Sequence, residues 1–290
     1  MSSILTNQGA IVALQTLKNV NSNLNKAQSE ISTGKTINNA QDNAAIWAVA
    51  KVMETDQSAN KTIQSMLNVA GQTVATARTG AEKVTELLTD IKNLAVGAKS
   101  TTVESEHAKI ATDINLKYEQ IASTILGTQM NGVNLLSAAG TAEMSVVASL
   151  DRLTTAVTTT KNTITVSNVG LDTVAGVDLA GTLPGLATPL VAADLAAAGI
   201  DALIDGIETA ISDSVAKTAE LGSAAKRITD QSDFIGKLAD ALKIGIGSLV
   251  DADMEEASAR LQALQTQQQL GIQALSIANQ APSAILSLFR

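Results

Sequence analysis

Side-chain chemistry needs a nucleophile within reach of a base, or a ring of metal ligands, and few residues here offer either. His107 is the only histidine and cysteine is absent. Glu104 and Glu106 lie beside the imidazole, but one ring with scattered carboxylates falls short of a zinc ligand set. The three residues read as the solvated start of a helix. Serines and threonines abound, yet His107 is the sole imidazole base for them, and neither a Gly-x-Ser-x-Gly elbow nor a phosphate-binding glycine loop occurs. Asp251, Asp253, Glu255 and Glu256 form an acidic run without the glycine-centred loop of a calcium site. At the start of a helix such carboxylates cap free N–H groups and complement the dipole. No catalytic, cofactor-binding or metal-ligating residue is assigned, and neither an enzyme nor a cofactor is expected.

The amides carry a different chemistry. Asn21, Gln28, Gln268 and Gln280 lie in or beside apolar seams, where a buried amide disfavours sliding between helices. Their neighbourhood is unusual. Met1 through Leu17 contain no charged side chain, and none occurs between Arg260 and Arg290. Burying an unpaired charge costs several kcal/mol, whereas an amide can be hydrogen-bonded inside a tight interface. Ends of this composition suit the inside of an assembly.

The remaining composition narrows the class. A formal net charge of -8 without any run of Lys or Arg argues against nucleic-acid binding. Only Trp47, Tyr118, Phe234 and Phe289 are aromatic, so Leu, Ile, Val and Ala must supply the core through long repetitive contacts. The absence of cysteine fits life outside the reducing cytosol. The N-terminus lacks the basic region and continuous apolar stretch of a classical signal peptide. The uncharged C-terminal stretch is long enough for a bilayer, but its glutamines between Gln262 and Gln280 make insertion expensive, so no membrane insertion is expected.

Periodicity supplies the elements that position these residues. Ala10, Ala13, Leu17, Val20, Leu24, Ala27 and Ile31 are spaced three and four alternately, a heptad seam. Ser32-Thr33-Gly34 interrupts it, and a polar linker leads to Asp42 or Asn43 as the next helix cap. A helix over about 44–99 follows, seamed by Ile63, Leu67, Ala70, Val74, Ala77, Ala81, Val84, Leu88, Ile91, Ala95 and Ala98, and about 80 Å long at 1.5 Å per residue. Gly71, Gly80 and Gly97 should weaken it locally. A third helix over about 104–126 presents Ile110, Ile114, Tyr118, Ile121 and Ile125, and Asn131-Gly132 marks a turn. Residues 137–199 read as an insert with strands at Ser145–Ser149 and Thr163–Val166 and a loop bracketed by Pro184 and Pro189. Helical patterning resumes at Ile200 and runs through Ile204, Ile207, Ile211, Leu221, Ala225, Ile228 and Ile235. Gly245 and Gly247 should break it at a second linker. A last helix from about Asp253 is seamed by Met254, Ala257, Leu261, Leu264, Gly271, Leu275 and Ala278, with Pro282 expected to kink or end it before Ile285.

The fold class is therefore mostly α: a long antiparallel helical bundle or coiled coil with a small β-hairpin-bearing insert. Its domains are an inner N-terminal helix and linker (1–42), the N-terminal part of a rod (43–136), the insert (137–199), a C-terminal rod helix (200–244), and a linker with the inner C-terminal helix (245–290). Leu17, Leu24, Ile31, Leu67, Leu88, Leu261, Leu264, Leu275 and Ile285 are the expected self-assembly positions. Gly34, Asn43, Gly245 and Gln280 are the expected linker and register positions.

Several stretches carry a resemblance. Ser3-Ile4-Leu5-Thr6-Asn7, the run Leu24 to Lys35 and the run Ile37 to Ala45 resemble the N-terminal region of bacterial flagellin. Leu275 to Pro282 and Ile285 to Arg290 resemble its C-terminus, and Gln129-Met130-Asn131-Gly132 with Leu135-Leu136 resembles the turn after the family's third helix. The sequence is most similar to the compact flagellins of alphaproteobacteria. The resemblance implies an inner coiled coil lining a filament channel, a surrounding helical rod with a hairpin, and head-to-tail homopolymerisation into an extracellular flagellar filament for swimming motility. It also implies dealings with a filament cap, hook-associated junction proteins, an export chaperone and the flagellar type III apparatus. Flagellins detected by the vertebrate innate immune receptor carry arginine and glutamate where this chain has Asp90 and Asn93, which speaks against recognition. A hook-filament junction protein shares the terminal design, and a cytoplasmic coiled-coil adaptor is the reading from another class.

Overall fold

The computed structural model describes residues 7–140, 143–150, 162–172, 190–195 and 197–288. In chain order these form α1 (Gln8–Thr33), α2 (Ala44–Lys99), α3 (Glu104–Gly127), a hairpin of β1 (Glu143–Val147) and β2 (Thr163–Ser167), a 3-10 turn at Ala192–Leu195, α4 (Ala197–Val250) and α5 (Met254–Leu288). The chain divides into two compact units, one of Met1–Gln57 with Asp240–Arg290 and one of Ser58–Ala239.

Within Ser58–Ala239, every seam position expected on α2, from Ile63 to Ala98, is buried. Opposite it α4 buries Ile200, Ile207, Leu221, Ile228 and Ile235, and α3 adds Ile114, Ile121 and Ile125 to the same cluster. The helices α2 and α4 run antiparallel, as cross-pairs show. Lys99 binds Asp201, Lys92 binds Glu208 at 2.7 Å, and Ser232 donates to Asn68 at 2.8 Å. Between them the hydroxyls of Thr85 and Ser214 meet at 2.8 Å, and Thr85 also donates to Ala81 O, so this buried polar layer is satisfied. Such layers resist sliding because any other register would bury them unpaired.

The turn after α2 is held by the histidine. The ring of His107 is half-buried, and its Nε2 lies 3.2 Å from Ala98 O and 3.0 Å from Thr101 O. Both neighbours are carbonyls, so the ring's N–H donates to them, joining Thr101 N in covering Ala98 O. A solvated surface position is thereby corrected to a cap.

The hairpin is antiparallel, with Glu143 opposite Ser167 and Val147 opposite Thr163. The second strand lies where alternation puts it, but the first begins two residues earlier than expected. The cause is the pleat: Ile164 and Val166 are buried in the core, and the register brings Val146 and Met144 opposite them. Asn134 anchors the hairpin's base. Its Nδ2 donates to Ile125 O at 2.8 Å, closing the end of α3, while its Oδ1 accepts from Leu136 N and Ser137 N. Asp172 then accepts from Ser137 Oγ and Ala138 N. The expected Pro184–Pro189 loop lies outside the described residues.

In the other unit, two expectations about helix ends are corrected. Helix α4 continues through Gly245 and Gly247 to Val250. A glycine costs a helix only about 1 kcal/mol, and Ile246 and Val250 are buried with Ala50, which outweighs it. Helix α5 likewise does not end at Pro282 and continues to Leu288.

Candidate assembly surfaces

The site suggested by the sequence is the terminal pair. Helix α1 opens on Asn7, whose Oδ1 accepts from Ala10 N, and closes on Gly34 in a left-handed conformation with φ 69°. That conformation is what allows the last turn to end with Gly34 N donating to Glu30 O. Helix α5 opens on Asp253, whose Oδ1 accepts from Glu255 N and Glu256 N, the capping role expected of that acidic run. The two helices pack antiparallel around Leu24, Ala27 and Leu264, with Val20 and Leu261 against them.

Asn21 and Gln268 meet across this pair, Gln268 Nε2 donating to Asn21 Oδ1 at 2.7 Å. Gln28 and Gln280 are exposed, as is Met254, which the seam placed inside. Leu17, Ile31 and Leu275 are half-buried, and Leu67 and Leu88 belong to the core of the other unit. The side chain of Ile285 lies outside the described residues, as does the Ser3–Thr6 motif. One charged residue lies buried in the pair, beyond the uncharged stretches. Glu30 is 7% exposed, and Arg260 Nη1 approaches its Oε2 only to 3.8 Å while Arg260 Nη2 binds Glu256. Its place three residues after Ala27 was the available signal.

The two linkers hold each other. Thr36 N donates to Val250 O at 2.8 Å, and Ala252 N donates to Gly34 O at 2.9 Å, forming a bridge between Lys35 and Asp251. The second linker therefore sits at 251–253 rather than at Gly245. A Cβ on Gly245 would stand 2.9 Å from Met53 Cε, the far end of a flexible side chain, which would have to shift to admit it. Beside the bridge, Glu54 accepts from Lys51 at 2.8 Å and Lys35 at 3.3 Å. Those hydrogen bonds, Lys51 first, hold its carboxyl below the usual carboxylate range. Asn43 caps α2 through Ala45 N and Ile46 N, and Asp42 accepts from Asn38 N and Asn39 N, so the polar linker is a locked turn.

Among the exposed amides and hydroxyls of the pair, large apolar side chains also remain uncovered. Ile11, Val12 and Leu14 on α1, and Leu270, Ile272 and Ile277 on α5, are large hydrophobic residues left exposed. Stretches this apolar and free of charge mark a surface made to be covered. Among the described residues no group of three or more His, Asp or Glu side chains is placed to hold a metal ion, and no helix is long and apolar enough to cross a membrane.

Comparison with known proteins agrees with this layout. Residues 4–141 match the family described as the bacterial flagellin N-terminal helical region, and residues 204–289 match the bacterial flagellin C-terminal helical region. A flagellin of Brucella melitensis biotype 1 is 40% identical over 100% of both chains. Flagellin FljO of Caulobacter vibrioides is 36% identical over 100% of this chain and 99% of its own, and Flagellin B of Rhizobium meliloti is 32% identical over 100% of both. Two matched regions flanking the hairpin insert, with full-length relatives, place the chain in the bacterial flagellin family.

Proposed function

We propose that this flagellin is the structural subunit of a swimming filament, secreted and then polymerised head to tail outside the cell. The observation that carries the reading is the terminal pair: two helices without charge over their outer reaches, joined by amide hydrogen bonds, with apolar side chains exposed on both. Contacts repeated head to tail do not close, so they build a tube rather than a ring. Covering apolar surface drives the process at about 25 cal/mol per Å².

In this reading residues 1–42 and 245–290 form the inner tier, and residues 43–136 and 200–244 form the rod, with 137–199 as its outer insert. Leu17, Leu24, Ile31, Leu261, Leu264, Leu275 and Ile285 act in the inner tier, Leu67 and Leu88 in the rod. Gly34 and Asn43 set the first linker. The partners are other copies of the chain, the filament cap, the junction proteins, an export chaperone and the type III apparatus. The innate immune receptor is not expected among them, because Asp90 stands where the recognised flagellins carry arginine.

Negative-stain microscopy after seeding tests the reading. Long tubes are expected; a purified chain that stays a small oligomer under polymerising conditions would overturn it.

A further inference from the structure

A proline inside a helix leaves a carbonyl without its usual donor, because the residue four positions earlier normally accepts from the N–H that proline lacks. In α5 the proline is Pro282 and the deprived carbonyl is that of Ala278. Asn7 supplies the missing donor: its Nδ2 donates to Ala278 O at 2.7 Å. The same side chain faces its own helix through Oδ1, which accepts from Ala10 N at 3.0 Å, while Asn7 O accepts from Ile11 N. The orientation of the amide is fixed from both sides. Reversing it would set an amide against an N–H and an oxygen against a carbonyl.

We infer that Asn7 is a two-ended clasp for assembly, capping α1 with its oxygen while its nitrogen replaces the hydrogen bond that Pro282 denies to α5. The consequence is coupling. The cap of one terminal helix and the continuity of the other share a single side chain, so neither end is complete until both have folded against each other.

Side-chain length and chemistry select the residue. Serine and aspartate cap helices about as well as asparagine, but serine is one heavy atom shorter and aspartate has no N–H. The backbone approach is prepared too. A Cβ on Gly9 would stand 4.0 Å from Ala278 Cβ, an ordinary van der Waals contact, so the two backbones are close enough for the amide to reach across.

The inference rests on the terminal pair being the assembly tier, and a mutant cycle on the full chain separates the two. The four proteins are the wild type, Asn7→Ser, Pro282→Ala and the double variant. The readout is the soluble concentration in equilibrium with seeded filaments. Asn7→Ser keeps a neutral cap but strands the Ala278 carbonyl, so the soluble concentration should rise about tenfold. With Pro282→Ala the new N–H serves that carbonyl within the helix, and adding Asn7→Ser should then change the concentration by less than about twofold. An equal effect of Asn7→Ser in both backgrounds, or no effect in either, refutes the clasp. If the wild type forms no filaments, the assembly reading falls, and the clasp is read from amide exchange of residues 10–14 in the monomer with its terminal pair folded by a stabilising osmolyte. Protection lost in Asn7→Ser and kept in the double variant upholds the clasp without polymerisation; any other pattern, including no protection in the wild type, overturns it.

Discussion

Tyr118 brings a hydroxyl to the core of Ser58–Ala239 and gives it nothing to bind. It packs against the main hydrophobic cluster, and its Oη has no hydrogen-bond partner. A buried hydroxyl without a partner costs about 1–3 kcal/mol, while the ring contributes apolar area that phenylalanine would keep. Tyr118→Phe should therefore hold stability at pH 7 or raise it by about 1 kcal/mol in urea unfolding. The pH dependence adds a second signature. Burial pushes the phenol's ionisation above its ordinary value of 10.0. The folded chain thus keeps a proton that the unfolded chain releases, and by linkage stability falls as pH rises above about 10. That alkaline loss should be smaller in the variant than in the wild type, which isolates it from the lysines titrating nearby in pH. A variant that loses more than about 1 kcal/mol at pH 7 would show that the hydroxyl is satisfied after all.

Glycines show where periodicity informs about an element and where it stays silent. Gly80 and Gly97 look alike in the sequence, each an interruption of a long helix, and α2 runs through both. Their surroundings differ: a Cβ on Gly97 would meet nothing within 4 Å, whereas one on Gly80 would stand 2.5 Å from Thr128 Oγ1 and 2.8 Å from Leu136 Cδ1. Alanine gains about 1 kcal/mol over glycine in a helix, but forcing atoms into a packed site costs about 1–3 kcal/mol. Gly97→Ala should raise the melting temperature and Gly80→Ala should lower it; shifts of the same sign would mean that the turn after α3 does not dock on α2. The seams from Ile63 to Ala98 and from Ile200 to Ile235 were legible because a buried stripe repeats. What depends on a single cross-chain contact leaves no period to read. His107 over Ala98 O, Glu30 buried beside Arg260, and the linker pairing of Lys35 with Asp251 are of that kind. The helix through Gly245 was misplaced for a related reason, since one residue's propensity is weaker than the burial of Ile246 and Val250 around it.

At the scale of the whole molecule, the terminal helices are long for what they bury. Helix α1 contributes 26 residues and α5 35, against 56, 24 and 54 in α2, α3 and α4. The contacts between them centre on Leu24, Ala27 and Leu264. A buried leucine stabilises by about 1.5–3 kcal/mol, while fixing a residue's backbone costs about 1–2 kcal/mol before helix hydrogen bonds offset it. So few buried side chains cannot hold that much helix in water, where even favourable sequences are marginal at this length. The exposed Ile11, Val12, Leu14, Leu270, Ile272 and Ile277 are the surface that neighbouring copies would cover, and covering it supplies the missing term. The free subunit should accordingly keep α2, α3 and α4 folded and leave α1 and α5 largely unfolded. Its far-ultraviolet circular dichroism should then lack close to a third of the helical signal shown by the same chain in filaments. The lost signal should return as filaments grow from seeds. Equal helix content in subunit and filament would mean that the terminal pair folds unaided, and that assembly joins finished surfaces instead of completing unfinished helices.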